Sequence, residues 1–397
     1  MVSVSEATSI IESHLYSPSQ EIIPITVALN RVLAEPILAD RDFPPFNRVA
    51  MDGIAIQFDQ FKKGNHTFEI EDIAPAGVPQ KALIHKTNCL EVMTGAPLPA
   101  NTDTVIRYED LEIKDKKANI LNSGISANQN VHPQGQDAQQ NQVLLKEGTQ
   151  LSPSEIALMA SVGKSQVLVK SIPKAAIIST GDELVDINDT PQAHQIRRSN
   201  SYALQAGLKS MGCEAHLFHI KDEKEDIKKE MAVILEQHDL IILSGGVSKG
   251  KFDFIPEVLE LLGVKKHFHK VKQKPGKPFW FGSVGNKTVF ALPGNPVSTY
   301  MCFYRYIQPW LRKSWELNTA PEFATLATDY QFNGDLAYFL QVSIVNELGV
   351  QLAYPVTGGG SGDFANLKEV NAFMELPEEK TGFKKGEAYP VFFFRSR

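Results

Sequence analysis

Cysteine is scarce in this chain: Cys89, Cys213 and Cys302 are the only three in 397 residues. They are odd in number and far apart, so they spell neither a disulfide framework nor a zinc pattern, which suits a reducing cytoplasm. Long apolar runs are missing too, none approaching the ~18 residues of a membrane span. The opening Met1-Val2-Ser3-Val4-Ser5-Glu6 lacks the basic and apolar regions of a signal peptide. Neither sign of charge dominates: 40 basic against 46 acidic residues leave a net charge of −6. Nucleic acid is therefore not the expected partner. Among ten histidines, only His267-Phe268-His269 places two on one face of a strand, thin support for a metal. There is no internal repeat and no low-complexity tract. With 43% hydrophobic and 22% charged residues, the expectation is a cytoplasmic globular protein.

A core rarely grows beyond roughly 250–300 residues, so more than one domain is expected. Residues 3–35 read as helical, opening on the capping box Ser3-x-x-Glu6. Ile10, Ile11 and Leu15 follow at helix spacing, and a second short helix is predicted from Val27 to Leu33. Phe43-Pro44-Pro45-Phe46 breaks that pattern. From there to about Leu145 come short β-like runs such as Gly53–Ile56, Cys89–Met93 and Thr104–Arg107. After Pro173, candidate strands Ala175–Ser179, Ala215–Ile220, Leu240–Leu243 and His267–Val271 alternate with helices near 200–211, 223–237 and 252–262. That spacing predicts a mostly parallel, doubly wound sheet. Phe279–Phe281 and Thr288–Leu292 add a hairpin, and a helix runs from Pro296 to about Arg312 with Asn295 as N-cap. After Ala320 β alternation returns. The fold class is thus multidomain α/β plus β: a central doubly wound α/β domain, a β-rich inserted domain and a C-terminal β domain. The predicted divisions are 1–42 with 142–172, then 43–141, 173–317 and 318–397.

Three glycine-rich turns end apolar runs: Ser244-Gly245-Gly246-Val247-Ser248, Lys274-Pro275-Gly276-Lys277-Pro278 and Pro293-Gly294-Asn295-Pro296. Converging backbone N–H groups in such turns suit an anion, here a phosphate-bearing ligand. In open α/β sheets ligands bind beyond the carboxyl ends of the strands, where Glu183, Asp222 and Asp253 are expected to crowd. Crowded carboxylates call for a cation, and Mg²⁺ shared with substrate phosphates fits. Taken alone, Asp222 is equally an ordinary first-turn acid. Lys270, Lys274 and Lys277 follow a strand in a loop stiffened by prolines and read as an oxyanion clamp. Asp52 and Thr94 sit in turns that are unremarkable singly.

In family order, the strings Ala50-Met51-Asp52-Gly53, Met93-Thr94-Gly95-Ala96-Pro97, Gly135-Gln136-Asp137 and Ser179-Thr180-Gly181-Asp182-Glu183-Leu184 come first. Ser244–Ser248, Asp253, Lys274–Pro278 and Leu292–Ser298 follow. Together they resemble the molybdopterin molybdenumtransferase family, called MoeA in bacteria and the gephyrin E domain in animals. The resemblance covers nearly the whole chain. It implies four subdomains, an elongated homodimer, and insertion of molybdate into adenylylated molybdopterin with Mg²⁺, releasing AMP and water. It implies that Asp52, Thr94 and Asp137 face the partner subunit's cleft, and that Glu183, Asp222 and Asp253 lie near metal and nucleotide. It associates Lys270 and Lys274 with the oxyanion, and Ser361 with the C-terminal domain. Gly245, Gly246, Ser248, Lys277, Pro293, Gly294, Asn295 and Pro296 are read as substrate-binding. Transient contacts with molybdopterin adenylyltransferase and with delivery proteins are implied as well.

The chain also departs from the family. Where relatives carry Gly-Arg-Thr-Glu-Phe and a second basic residue, Gly334-Asp335-Leu336-Ala337-Tyr338-Phe339-Leu340-Gln341 has no arginine, while Lys249 and Lys251 are added after Ser244. Two rival functions remain: an adenylyltransferase sharing the α/β domain, and a non-catalytic gephyrin-like scaffold.

Overall fold

The computed structural model describes residues 1–247 and 254–395, so Ser248, Lys249, Lys251 and Asp253 lie outside the described residues. The chain divides into two compact units, one of residues 1–23, 29–34 and 168–397, the other of 24–28 and 35–167.

The first unit is built on a six-stranded sheet ordered Ala215–Ile220, Ala175–Thr180, Leu240–Ser244, Lys287–Leu292, Trp280–Val284, Lys265–His269. The first four strands are parallel, and the last two join antiparallel. Side-chain alternation distributes the core to both faces. Ile177, Ile242 and Phe290 pack with Leu204, Leu208 and Trp310 on one face. Ile178, Ile241 and Val289 pack with Ile227, Met231 and Val258 on the other. Helices Asn200–Ser210, Lys224–Gln237 and Ile255–Leu261 supply these covers, as the doubly wound reading expects. Because Trp280–Val284 runs against both its neighbours, Lys265–His269 points the same way as the parallel four. Its carboxyl end therefore joins theirs at one edge of the sheet.

Three local readings need correction. The first helix spans only Val4–Glu12, capped by Ser3 and Glu6 as the sequence predicts. No helix covers Val27 to Leu33: Ile25–Val27 is a single 3₁₀ turn, and Asn30 adopts φ +66°. Backbone pairing overrides helical propensity there, with Lys170 N donating to Val32 O at 2.8 Å and Ala34 N to Leu168 O at 3.0 Å. The paired histidines also separate. A register shift at His267 breaks the alternation. The His267 ring lies 3.8 Å from that of His14, whereas His269 Nε2 bonds the Val247 carbonyl at 3.0 Å.

The same unit ends in a closed five-stranded barrel. Ala337–Glu347 pairs with Val350–Pro355 and with Ala372–Leu376, and the ring is completed through Glu322–Leu326 and Ala388–Phe393. The two-residue strand Gln273–Lys274 adds to it in parallel, Lys274 opposite Tyr338.

The second unit holds another six-stranded sheet, ordered Thr104–Arg107, Gly53–Ile56, Cys89–Val92, Thr67–Ala74, Lys117–Ile120, Leu111–Lys114. Helix Pro153–Ser161 begins on a reciprocal Ser152–Glu155 capping box. No helix among the described residues is long and apolar enough to cross a membrane.

Candidate functional site

The carboxyl edge of the α/β sheet opens into a cleft of about 450 Å³. Its wall includes Thr180, Glu183, Asp222, the Ser244–Gly246 turn and the Pro293–Pro296 turn. Gly245 and Gly246 have φ of +105° and +68°, and a Cβ on Gly246 would stand 2.7 Å from Ile255 Cγ1 and 2.9 Å from Thr180 Oγ1. Only glycine fits this fold-back, which keeps the turn's backbone bare toward the cleft. Thr180 is 4% exposed, and its hydroxyl has no hydrogen-bond partner among the described residues. A buried, unpaired hydroxyl in a cleft wall is a position a ligand would satisfy.

Asn200 was not singled out by sequence reasoning, yet one amide ties two turns together. Its Nδ2 donates to Ser244 Oγ at 2.9 Å and to Gly294 O at 2.8 Å. An asparagine opening a helix reads as a cap, so its sequence signal was hidden. Arg197 and Arg198 also line the cleft. Arg198 Nη2 bonds Asp186, while its buried Nε has no partner among the described residues. The adjacent arginine pair just before Ser199 was the signal available.

Glu183 folds back over Gly181, so that a Cβ built there would lie 2.6 Å from Glu183 Oε2. The Asp222 backbone N–H faces Asp182 Oδ1 at 3.4 Å. Glu183 and Asp222 thus share one cleft, and the expected third acid, Asp253, lies outside the described residues. Among the described residues no group of three metal-ligating side chains forms. Mg²⁺, however, commonly takes only one or two carboxylates and completes its shell with phosphates and water, so this donor set fits it.

A second cavity of about 370 Å³ adjoins the first, with Pro278, Pro293 and Asn295 common to both walls. Lys274, Lys277, Tyr338, Gln341 and Ser361 line it. Asn295 is the N-cap of the Pro296–Cys302 helix, but its side chain makes no cap bond. Instead Nδ2 donates to Ser361 Oγ at 2.8 Å, and Val297 N donates to Ser361 O at 3.1 Å. The cap thereby pins the barrel's glycine-rich loop to the α/β domain. Gln341, at the end of the arginine-free stretch, accepts from Asn366 Nδ2 at 2.9 Å. Lys270 lines neither cavity among the described residues. It adopts φ +83°, held by Lys270 N to Phe279 O at 2.9 Å and Val2 N to Lys270 O at 3.1 Å. Such a conformation costs a non-glycine residue on the order of 1–3 kcal/mol.

In the second unit, Asp52 Oδ1 accepts from Thr94 N at 2.6 Å and Thr94 Oγ1 at 2.8 Å. The Thr94 backbone N–H, then its hydroxyl, hold the exposed Asp52 carboxyl below the usual carboxylate range. Gly53 lets this turn form, because a Cβ there would meet Ile106 O at 1.9 Å. Asp137 is bonded at 2.9 Å to His132 Nε2, and Arg48 Nη2 lies 3.0 Å from His132 Nδ1. A guanidinium only donates, so Nδ1 accepts and Nε2–H donates to Asp137. Arg48 and His132 carried no motif and escaped the sequence reading.

Three family models match in succession. Residues 2–163 match the MoeA N-terminal region (domain I and II), 176–313 a probable molybdopterin binding domain, and 324–394 the MoeA C-terminal region (domain IV). The chain is 41% identical over 397 residues to the molybdopterin molybdenumtransferase of a Synechocystis species, covering 99% of this chain and 100% of the relative. It is 32% identical to the Haemophilus influenzae molybdopterin molybdenumtransferase, covering 98% of each. A crystal structure of a molybdopterin biosynthesis MoeA protein from Pyrococcus horikosii aligns with a TM-score of 0.82 at 29% identity, covering 100% of both chains. By identity sustained over its full length, and by a matching fold, the chain belongs to the molybdopterin molybdenumtransferase family of enzymes.

Proposed function

We propose that this chain transfers molybdate into adenylylated molybdopterin, releasing AMP and forming molybdenum cofactor with Mg²⁺ required. The observation that carries the reading is the adjoining pair of cavities: bare glycine turns with two carboxylates in one, two lysines in the other, and shared walls between. The turn N–H groups other than that of Gly245, which donates to Leu292 O at 3.2 Å, suit the phosphates of a nucleotide ester. Lys274 and Lys277 suit a tetrahedral dianion, which ammonium groups bind by charge-assisted hydrogen bonds. Glu183 and Asp222 would hold Mg²⁺, which would offset phosphoanhydride charge as AMP departs. Asn200 and the Asn295–Ser361 bond fix the walls and Thr180 offers an unpaired hydroxyl, so the chain's contribution is orientation of two reactants rather than a nucleophile. The reading extends to a cytoplasmic homodimer in which Asp52, Thr94 and Asp137 complete the partner's cleft, with product passed on through transient protein contacts. Support for these parts comes from the family resemblance.

The direct test is incubation of the purified protein with adenylylated molybdopterin, Mg²⁺ and molybdate, with AMP measured over time. Release of AMP that needs both molybdate and Mg²⁺ is expected. A protein that leaves adenylylated molybdopterin intact under all these conditions is not this insertase.

A further inference from the structure

Lys274 is anchored at its backbone, and its side chain extends beyond that anchor. Strand pairing sets it opposite Tyr338, and Ala337 N donates to Lys272 O at 3.0 Å beside it. Beyond that point a lysine is a flexible four-carbon stem. Among the described residues its ammonium has neither a carboxylate partner nor a hydrogen-bond acceptor. It does lie over the Phe332 ring, 5.5 Å from the centroid, within the ~6 Å reach of a cation–π contact.

Phe332 is itself firmly placed. Its ring stacks on Tyr338 at 4.2 Å with planes 7° apart, and Tyr338 lies parallel to Tyr330 at 6.0 Å. The Gly334 backbone presses against it, since a Cβ there would stand 2.7 Å from Phe332 Cε1. Phe332 does not line the Lys274 cavity, whereas Tyr330 and Tyr338 do. Any effect it has on that cavity must pass through its neighbours.

We infer that Phe332 is a positioning residue for Lys274, its ring face holding the ammonium ready for the oxyanion. The inference rests on the reading of this cavity as the molybdate site. The physical reason is selective. A carboxylate would also fix the lysine, but it would occupy its donors and compete with the incoming dianion. A ring attracts the ammonium through its quadrupole and leaves three N–H groups to donate. Gln341 is neutral, and among the described residues Lys274 and Lys277 are the cationic side chains of this cavity wall. Holding Lys274 in place therefore matters more than it would beside an arginine.

The test compares Phe332→Leu, Phe332→Trp and Lys274→Ala in the full-length protein, with KM for molybdate and kcat for AMP release measured separately. Phe332→Leu should raise the molybdate KM roughly three- to tenfold with kcat at saturating molybdate retained, and Phe332→Trp should restore the KM. If Lys274→Ala raises the KM while Phe332→Leu keeps the parental value, the positioning role is wrong and the oxyanion site stands. If both keep the parental value, the oxyanion binds elsewhere and the inference falls with that reading. A loss confined to kcat, or one that Phe332→Trp reproduces, also overturns it. A measurement on the unsubstituted protein covers the case of a variant that does not fold. After reductive ¹³C-methylation of lysines, the Lys274 methyl signal, assigned by its absence in Lys274→Arg, should be shifted upfield by the ring current. A signal at the ordinary position of solvated lysines overturns the contact.

Discussion

Thr94 donates two hydrogen bonds to one oxygen of Asp52, from its backbone nitrogen at 2.6 Å and its hydroxyl at 2.8 Å. Both bonds favour the ionised carboxylate, which is why Asp52 stays below its ordinary value of 3.8. The linkage sign follows: this stabilisation is present above the ordinary value and is lost as pH falls through the lower folded one. Thr94→Val deletes the hydroxyl and keeps the backbone N–H, the larger cause. Asp52 should then titrate higher but remain below 3.8, as read by carboxyl ¹³C shifts. AMP release should fall in parallel. An unmoved Asp52 titration in Thr94→Val would mean the hydroxyl contributes nothing.

Lys270 sits at φ +83°, where glycine is at home and lysine is strained. Lys270→Gly should raise the unfolding free energy by about 0.5–2 kcal/mol, strain relief outweighing the added chain entropy. If the ammonium serves molybdate, the same variant should lower activity. Thermal melts and molybdate titrations on one sample check both halves. A lower melting temperature would show that the conformation is not strained.

Glu183→Gln and Asp222→Asn should reduce AMP release by at least about tenfold each, because a cation's charge offset is worth several kcal/mol. Stability should change little, since neither side chain is buried. Mg²⁺ titration of turnover is the decisive measurement. Parental Mg²⁺ dependence in both variants would place the cation elsewhere.

The His14 and His267 rings are 3.8 Å apart, and His267 Nε2 meets Ser283 Oγ at 2.7 Å. Burial first, then the charges of His14 and Lys265, hold His267 below its ordinary 6.5. A depressed histidine binds fewer protons folded than unfolded, so stability is full above about 6.5 and declines as pH falls toward the lower folded value. The melting temperature should therefore drop on acidification through this window, and His267→Phe should flatten that part of the profile. An unchanged profile in His267→Phe would assign the acid sensitivity to other groups.

If the active site is shared between protomers, chains carrying Asp52→Ala and chains carrying Lys274→Ala should regain part of the activity when mixed and reassembled. Each heterodimer would then retain one intact site. Confirmed heterodimers without recovery would refute the shared site.

The elements legible in the sequence were those whose signal is local. Leu240–Ser244 is buried at every position and reads as a central parallel strand from composition alone. Ser3 and Glu6 announce a helix start three residues apart, and the bond geometry is the expected one. Gly245-Gly246 could be read as a cradle because positive φ at two successive positions admits almost nothing else. Tertiary structure decided whatever depended on distant partners. Val27 to Leu33 reads as a helix, yet the Val32–Ala34 stretch pairs its backbone with 168–170 instead. Asn295 looked like a side-chain cap, but its amide reaches Ser361, 66 residues away. Asn200 reads locally as a helix start and Phe332 belongs to no local pattern, because their partners Ser244, Gly294 and Lys274 are distant in sequence. A side chain's long-range partner is chosen by packing of the whole unit, and no window of neighbouring residues contains that information.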